Sequence, residues 1–168
     1  CCSTTRAPGP AARSPPPLYA PAGVLHVGRA AAHVFKTRNP VARGHGRHKI
    51  VVGKDTRLSG YMIETALMSG FTAVGADVFQ LSPMPTPAVA HLTKSMGCGA
   101  GIMLTASHNP YEDNGLKIFG PDGYKLSDEL ERQIENEIIS TQKQPLVAPA
   151  QIGKALRIND ASGRYIEY

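Results

Sequence analysis

The chain is poor in the residues on which several classes of protein depend. Its 168 residues contain no tryptophan and only three cysteines, Cys1, Cys2 and Cys98. An odd number of cysteines without metal-ligand spacing argues against a disulfide framework and against a zinc site. Cys98 stands just before an apolar run and is predicted to be a buried thiol. The cytoplasm is the location that this cysteine usage favours.

Long hydrophobic runs are also missing. No window reaches the roughly 18 to 20 apolar residues of a membrane span, and the N-terminus lacks the charged and apolar regions of a secretory signal. The hydrophobic fraction of 42% and the charged fraction of 18% fit a soluble globular protein with a real core. We therefore expect no membrane partner.

Acidic residues are scarce in the first third of the chain. Residues 1–57 carry ten Lys or Arg and a single acidic residue, Asp55, whereas residues 58–168 carry eight basic and twelve acidic residues. A basic segment can bind nucleic acid. However, no aromatic residue interleaves the basic ones from Arg38 to Lys49, as base stacking requires. A solvated basic tail and loop is the better interpretation, and we expect no nucleic-acid partner.

Predicted strands and helices alternate along the chain. Residues 1–23 are rich in proline and alanine without periodicity, which predicts disorder. Periodicity and turn residues predict strands at 50–52, 77–81, 98–104, 116–119 and 155–158, and helices at 24–36, 60–74 (N-cap Ser59), 87–96, after Ser127 and after Asp160. This alternation predicts an α/β protein with a mostly parallel sheet. Ligands gather at the carboxyl ends of the strands in such sheets.

The reactive side chains are concentrated in residues 101–126. A buried strand leads into the loop Thr105-Ala106-Ser107-His108-Asn109-Pro110, and the next strand returns Lys117 toward that loop. Ser107 is the candidate nucleophile, with His108 or Lys117 as the base or charged neighbour that a serine needs. Adjacent Ser and His residues usually have no joint function, and no G-x-S-x-G elbow is present.

Arg57 and Lys117 each have a structural and a functional interpretation. Arg57, just after a predicted strand, suits a phosphate group, yet Asp55 and Arg57 could also be a helix-entry acid and a surface arginine. Lys117 could be an ordinary residue of a half-exposed strand. No Walker-type phosphate loop is present. From the residues alone the prediction is an α/β domain with a polar site around Ser107.

Several motifs together resemble the α-D-phosphohexomutase family. These are VGKDTRLSGYMIE at 52–64, PMPTPAVA at 83–90, TASHNP at 105–110 followed by DNGLK at 113–117, and FGPDGYKLSD at 119–128. The resemblance covers residues 24–168 and is closer to the branch that acts on hexosamine phosphates. It implies that the fold is a three-layer α/β/α sandwich with a mixed, mostly parallel sheet.

The resemblance also implies a reaction and roles for particular residues. Ser107 would be a phosphoserine that exchanges glucosamine 6-phosphate and glucosamine 1-phosphate through a bisphosphorylated sugar, feeding UDP-N-acetylglucosamine and cell-wall synthesis. The implied roles are catalytic for Ser107, His108 and Lys117, substrate or phosphate binding for Arg57, Thr105 and Asn109, and Mg²⁺ binding for Ser107. Within that pattern Arg57 would hold either the loop or a phosphate.

The departures from the family pattern imply an incomplete site. Residues 1–23 do not resemble the glycine-rich segment that precedes the first helix in the family, and the family's aspartate-rich metal loop and sugar-recognition domain would lie beyond Tyr168. The implied organisation is an aberrant segment at 1–23, a first domain at 24–150, and a linker with the start of a second domain at 151–168. We expect negligible activity from this chain alone, and a homodimer when full length.

Two alternatives remain open from the sequence. One keeps the reaction and changes the sugar, giving a phosphomannomutase or phosphoglucomutase. The other is a non-catalytic α/β module that binds a partner through its basic face.

Overall fold

A computed structural model describes residues 20–38, 46–140 and 145–168. Of the disorder predicted for residues 1–23, residues 1–19 lie outside the described residues, as does the basic loop at 39–45. The prediction is wrong for residues 21–23, which form the first turn of helix α1 (Pro21–Arg38), where Gly23 is buried. The described strands are β1 (Lys49–Lys54), β2 (Asp77–Gln80), β3 (Ala100–Leu104), β4 (Leu116–Phe119) and β5 (Ala155–Arg157). The described helices are α1 (Pro21–Arg38), α2 (Ser59–Ala73), α3 (Thr86–Ser95), α4 (Asp128–Ile139) and α5 (Ala161–Ile166), with a 3₁₀ turn at Pro149–Gln151.

The described strands form one mixed sheet in the order β4-β3-β1-β2-β5. β1 pairs in parallel with both β2 and β3, β2 pairs in parallel with β5, and β4 runs antiparallel to β3. The prediction of a mixed, mostly parallel sheet is confirmed. Since β5 joins this same sheet, residues 155–157 pack with the elements before them; the domain boundary after residue 150 stays a prediction.

Alternate side chains of the central strands enter two separate cores. Ile50 and Val52 of β1 belong to the core that contains side chains of α1, α2 and α4, whereas Val51 belongs to the core with α3 and Ala161 of α5. This alternation is what the period of two in a strand produces when both faces are covered. Helices therefore cover both sides of the sheet, as the sandwich prediction requires.

Most predicted element ends are within a few residues of the observed ones, but one cap is wrong. Ser127 caps α4 by accepting a hydrogen bond from the backbone N–H of Leu130, as predicted. Ser59 is instead the first residue of α2, after an N-cap residue Leu58 that makes no side-chain cap. The Ser59 hydroxyl donates to Asn114 Oδ1 at 2.6 Å. This hydroxyl, which the local sequence predicted to cap α2, therefore bonds to a loop that is distant in sequence.

The buried thiol is also confirmed. Cys98 is 1% exposed, and burial raises the pKa of this thiol to about 11, against a smaller lowering by the charge of Lys49. A cysteine with this pKa is a weak nucleophile at neutral pH because the reactive form is the thiolate.

Helices α1 and α2 cross so closely that two glycines are required at the contact. A Cβ atom added at Gly70 would lie 2.4 Å from the carbonyl oxygen of Leu25, and one at Gly28 would lie 2.7 Å from that of Leu67. Both obstacles are backbone atoms, which cannot move aside as a flexible side chain can. The two helices must therefore separate if either glycine gains a side chain.

We expect Gly70→Ala to lower the free energy of unfolding by about 1–3 kcal/mol, the usual cost of overpacking a core. The matched control is Gly163→Ala in α5, where an added Cβ has no atom within 4 Å and should be neutral or slightly stabilising. Urea unfolding of both variants checks the prediction. Equal stabilities of the two variants would show that the helix crossing relaxes without cost.

Candidate active-site loop

The site is built where β1 and β3 end side by side. The backbone N–H of Asp55, just after β1, donates to the carbonyl oxygen of Leu104, the last residue of β3. The proline-rich loop reaches the same edge, where Met84 N–H donates to the Lys54 carbonyl oxygen. The prediction that these segments meet at the carboxyl edge of the sheet is confirmed for the described residues.

Ser107 is exposed at this edge in an unusual backbone conformation. Its φ of +58° is the single positive φ among the described non-glycine residues. The left-handed region costs a non-glycine residue roughly 1–2 kcal/mol, and such outliers persist where surrounding contacts hold them. One such contact is the bond from Ser107 N–H to Thr105 Oγ1, at 3.0 Å.

Arg57 supplies the other contacts by hydrogen bonding to the backbone of the loop. Its Nη2 donates to the carbonyl oxygens of Ser107 at 3.0 Å and Asn109 at 2.9 Å. Its Nη1 donates to those of Pro110 and Asp113. Its Nε donates to Asp55 Oδ2 at 2.9 Å. These bonds use all five N–H groups that a guanidinium offers.

Asp55 is the charged partner that orients this arginine. Its Oδ1 accepts the backbone N–H of Arg57 at 3.0 Å. Burial on its own would raise the pKa of the Asp55 carboxyl, but hydrogen bonds from the Arg57 backbone, the Thr105 side chain and the Arg57 side chain, with the Arg57 charge, together lower that pKa. Asp55 therefore remains ionised at neutral pH and keeps its charge-assisted bond to the guanidinium.

The far side of the loop is closed by polar contacts. Thr105 N–H donates to the Gly115 carbonyl oxygen at 3.0 Å, and Asn109 Nδ2 donates to Asp113 Oδ2 at 3.1 Å. With the bond from Ser59 to Asn114, these contacts join the two ends of the loop and fasten it to α2. Sequence reasoning missed the roles of Ser59, Asp113 and Asn114, because nothing local to them signals a partner so distant in sequence.

The structure brings some predicted site residues together and leaves others apart. Arg57 contacts the loop around Ser107, and Thr105 and Asn109 are part of that loop and make hydrogen bonds within it. His108 is exposed, and its ring makes no hydrogen bond to any residue that the structure describes. Lys117 is exposed on β4 opposite Met103, one residue beyond the pair Leu104 and Leu116 that adjoins the loop.

The space beneath the loop is too small for a sugar. A cleft of about 10 Å³ remains between the loop and α2, lined in part by Asp55, Arg57, Ile63 and Thr105. Such a volume holds about one water molecule. A substrate must therefore approach Ser107 from its exposed side, where His108 and Asn109 also face solvent.

The described residues do not form a magnesium site on their own. They contain no cluster of three or more His, Cys, Asp or Glu side chains that could hold a metal ion. Near Ser107, Asp55 is paired with Arg57, and Asp113 accepts from Asn109. Mg²⁺ prefers about six oxygen ligands, so a Ser107 oxygen would be one ligand among several supplied from elsewhere.

None of the described helices has the length and apolar character needed to cross a bilayer.

Fold and loop together define an α/β domain that presents an exposed serine, in a strained conformation, at the carboxyl edge of its sheet. The sequence profile of the phosphoglucomutase/phosphomannomutase α/β/α domain I matches residues 15–145. The chain belongs to the phosphoglucomutase/phosphomannomutase family.

Relatives with assigned names agree with this membership. The chain is 58% identical over 151 residues to a protein from Methylobacterium nodulans named phosphoglucosamine mutase, covering 90% of this chain and 32% of that protein. It is 58% identical over 142 residues to a protein of the same name from Novosphingobium aromaticivorans, covering 84% of this chain and 30% of that one. The chain thus spans about a third of the length of these relatives.

A solved structure supports the fold. The crystal structure of a phosphoglucomutase/phosphomannomutase family protein from Burkholderia thailandensis superposes with a TM-score of 0.66 at 24% identity, covering 86% of this chain and 30% of that one.

Proposed function

We propose that this chain is the phosphoserine-bearing domain of a phosphoglucosamine mutase, an isomerase that moves a phosphoryl group between two positions of glucosamine phosphate. The observation that carries the proposal is Ser107, exposed and held at φ +58° at the sheet edge in a chain of this family. The names of the relatives that match over most of the chain support glucosamine phosphate as the substrate. A soluble cytoplasmic enzyme is part of the same proposal.

In the proposed reaction Ser107 carries the phosphoryl group as a phosphoserine. The bond between Ser107 Oγ and phosphorus breaks while a free hydroxyl of the sugar phosphate bonds to that phosphorus. The sugar hydroxyl loses its proton and Oγ gains one. The bisphosphorylated sugar then turns. The bond between its other phosphorus and the sugar oxygen breaks while that phosphorus bonds to Oγ, and Oγ loses its proton as the sugar oxygen gains one. Catalysis of such a transfer is chiefly a matter of positioning and of neutralising charge.

The remaining predicted residues take supporting roles. Lys117 and His108, both exposed, carry protons to and from the reacting oxygens or balance phosphate charge. Thr105 and Asn109 hold the loop through the contacts described above and line the approach of the phosphate. A Ser107 oxygen would be one Mg²⁺ ligand, with the other ligands supplied from outside the described residues, and the ion would neutralise phosphate charge. A homodimer of the full-length protein belongs to the same proposal.

The proposal is tested in a chimaera in which this chain replaces the third of the Methylobacterium nodulans relative that it matches. We expect the chimaera to convert glucosamine 6-phosphate to glucosamine 1-phosphate and the 168-residue chain alone to show negligible turnover. Mannose 6-phosphate and glucose 6-phosphate, tested side by side, examine the alternative sugars. A folded chimaera without activity on any of the three sugars would favour the non-catalytic module.

A further inference from the structure

The contacts of Arg57 differ from those of an arginine that binds a substrate phosphate. Such a residue presents free N–H groups to the ligand, often two of them in parallel. Arg57 has its five N–H groups on protein acceptors: four carbonyl oxygens of the loop and the Asp55 carboxylate. Its side chain is also only 13% exposed.

We propose that Arg57, oriented by Asp55, is a positioning residue: it fixes the backbone of the Ser107 loop and thereby places the reacting oxygen, and it does not bind the substrate phosphate. The proposal deepens the proposed function and rests on it for the role of Ser107. We call the set formed by Asp55, Arg57 and the four carbonyl groups the arginine clamp.

The geometry of the clamp explains how one side chain holds a whole loop. The four carbonyl groups belong to residues 107, 109, 110 and 113, so one planar cation bonds to the loop along seven consecutive residues. Ser107 itself is among them, and its left-handed conformation turns its carbonyl oxygen to within 3.0 Å of Nη2. The clamp therefore acts on the residue that reacts.

Asp55 contributes to the clamp at both ends of Arg57. One carboxylate oxygen accepts the Arg57 backbone N–H and the other accepts Nε, which fixes the plane of the guanidinium. The Thr105 hydroxyl accepts the Ser107 N–H, so the loop is held at Ser107 by Thr105 as well as by Arg57.

Substitution by lysine distinguishes an Arg57 that holds the loop from an Arg57 that binds the substrate phosphate. Lysine keeps the positive charge of arginine but offers three donors from a single atom, so it cannot reach four carbonyl groups and Asp55 together. If Arg57 holds the loop, Arg57→Lys and Arg57→Met should therefore lose equal amounts of activity. If Arg57 instead binds the substrate phosphate, Arg57→Lys should keep much of the activity and Arg57→Met should lose it.

The first measurement is amide hydrogen exchange on the 168-residue chain. We expect both variants to accelerate exchange at the Ser107, Asn109 and Asp113 amides by about tenfold or more, as local opening does, with no change at the Val52 and Ile102 amides of the core. The matched control is Arg164→Met: Arg164 also donates Nε to an aspartate oxygen at 2.9 Å, but on the surface of α5. It should leave exchange in the loop unchanged.

The second measurement is steady-state kinetics on the chimaera. We expect Arg57→Lys and Arg57→Met each to lower kcat by about 100-fold, the scale of a misplaced reacting group, with KM within about threefold of the parent. The clamp is overturned if Arg57→Lys keeps most of the activity, or if the main effect is a raised KM, or if loop exchange does not change. If Ser107→Ala leaves turnover intact, the proposed function fails, and the exchange result still decides whether the clamp exists.

Discussion

Ser107→Ala is expected to abolish mutase turnover in the chimaera, with a loss on the order of 10⁶-fold, the scale seen when a catalytic nucleophile is removed. The reason is that the alanine has no oxygen to carry the phosphoryl group. The loop should keep its place, because the clamp binds backbone carbonyl groups and needs no side chain at position 107. The loss should therefore appear in kcat without unfolding.

Ser107→Gly separates the chemistry from the conformation. Glycine enters the left-handed region freely, whereas alanine pays roughly 1–2 kcal/mol for it. We expect Ser107→Gly to be more stable than Ser107→Ala by about that amount, and both to be inactive. Ser95→Ala, at an exposed serine of α3, is the control and should retain full turnover. Substantial activity in Ser107→Ala would remove Ser107 from the reaction.

Lys54→Met is expected to lower the free energy of unfolding at neutral pH by about 3 kcal/mol, the usual cost of removing one partner of a buried charge pair. Lys54 and Glu64 are each 2% exposed, beneath the start of α2. Lys54 Nζ lies 3.4 Å from the centre of the Tyr61 ring. Neither Lys54 Nζ nor Glu64 Oε1 has a hydrogen-bond partner among the described residues. The buried Glu64 carboxyl is compensated by a hydrogen bond with Gln80 and then by the charge of Lys54, so removing Lys54 takes away part of that compensation.

The effect of Lys54→Met should depend on pH in a defined direction. Burial raises the pKa of Glu64, and a hydrogen bond with Gln80 and the charges of Lys54 and Arg157 oppose that rise. A carboxyl whose pKa is raised on folding destabilises the protein as pH rises through the window between its unfolded and folded pKa. Removing Lys54 raises the folded pKa further, so the loss should be larger at about pH 8 than at about pH 4, where Glu64 is largely protonated in both states.

Thermal or urea unfolding at the two pH values checks this prediction. The double variant Lys54→Met/Glu64→Leu should be more stable than Lys54→Met, because it leaves no uncompensated buried charge. Lys94→Met, at an exposed lysine of α3, should change stability little at either pH. If Lys54→Met lowers the free energy of unfolding by the same amount at both pH values, the pKa of Glu64 does not depend on Lys54.

The order of the strands and helices could be predicted from the sequence because each element carries its own local signal. The apolar run at Ile50 to Val52 and the helical spacing from Gly60 to Val74 report burial, which the sheet and its two cores then impose. The antiparallel pairing of β4 and the place of β5 at the sheet edge have no comparable local signal, because strand partners are chosen by tertiary packing.

The reactive serine of the site could be predicted from the sequence, but the hydrogen bonds that hold its loop could not. Residues 105–110 marked Ser107, since a hydroxyl at the end of a buried strand is a recognisable pattern. The bonds of the arginine clamp to the loop join residues 50 or more positions apart, such as Arg57 and Asp113. The sequence left Arg57 with two roles, holding the loop or binding phosphate, and the five hydrogen bonds favour the first.

The proposed function requires Ser107 to carry the phosphoryl group. Its most direct test is mass spectrometry of the chimaera after incubation with glucose 1,6-bisphosphate, with the phosphate located by fragmentation. We expect one phosphate on Ser107, lost on addition of glucosamine 6-phosphate in step with formation of the bisphosphorylated product, and absent in Ser107→Ala. A phosphate on another residue, or turnover with an unmodified Ser107 throughout, would contradict it.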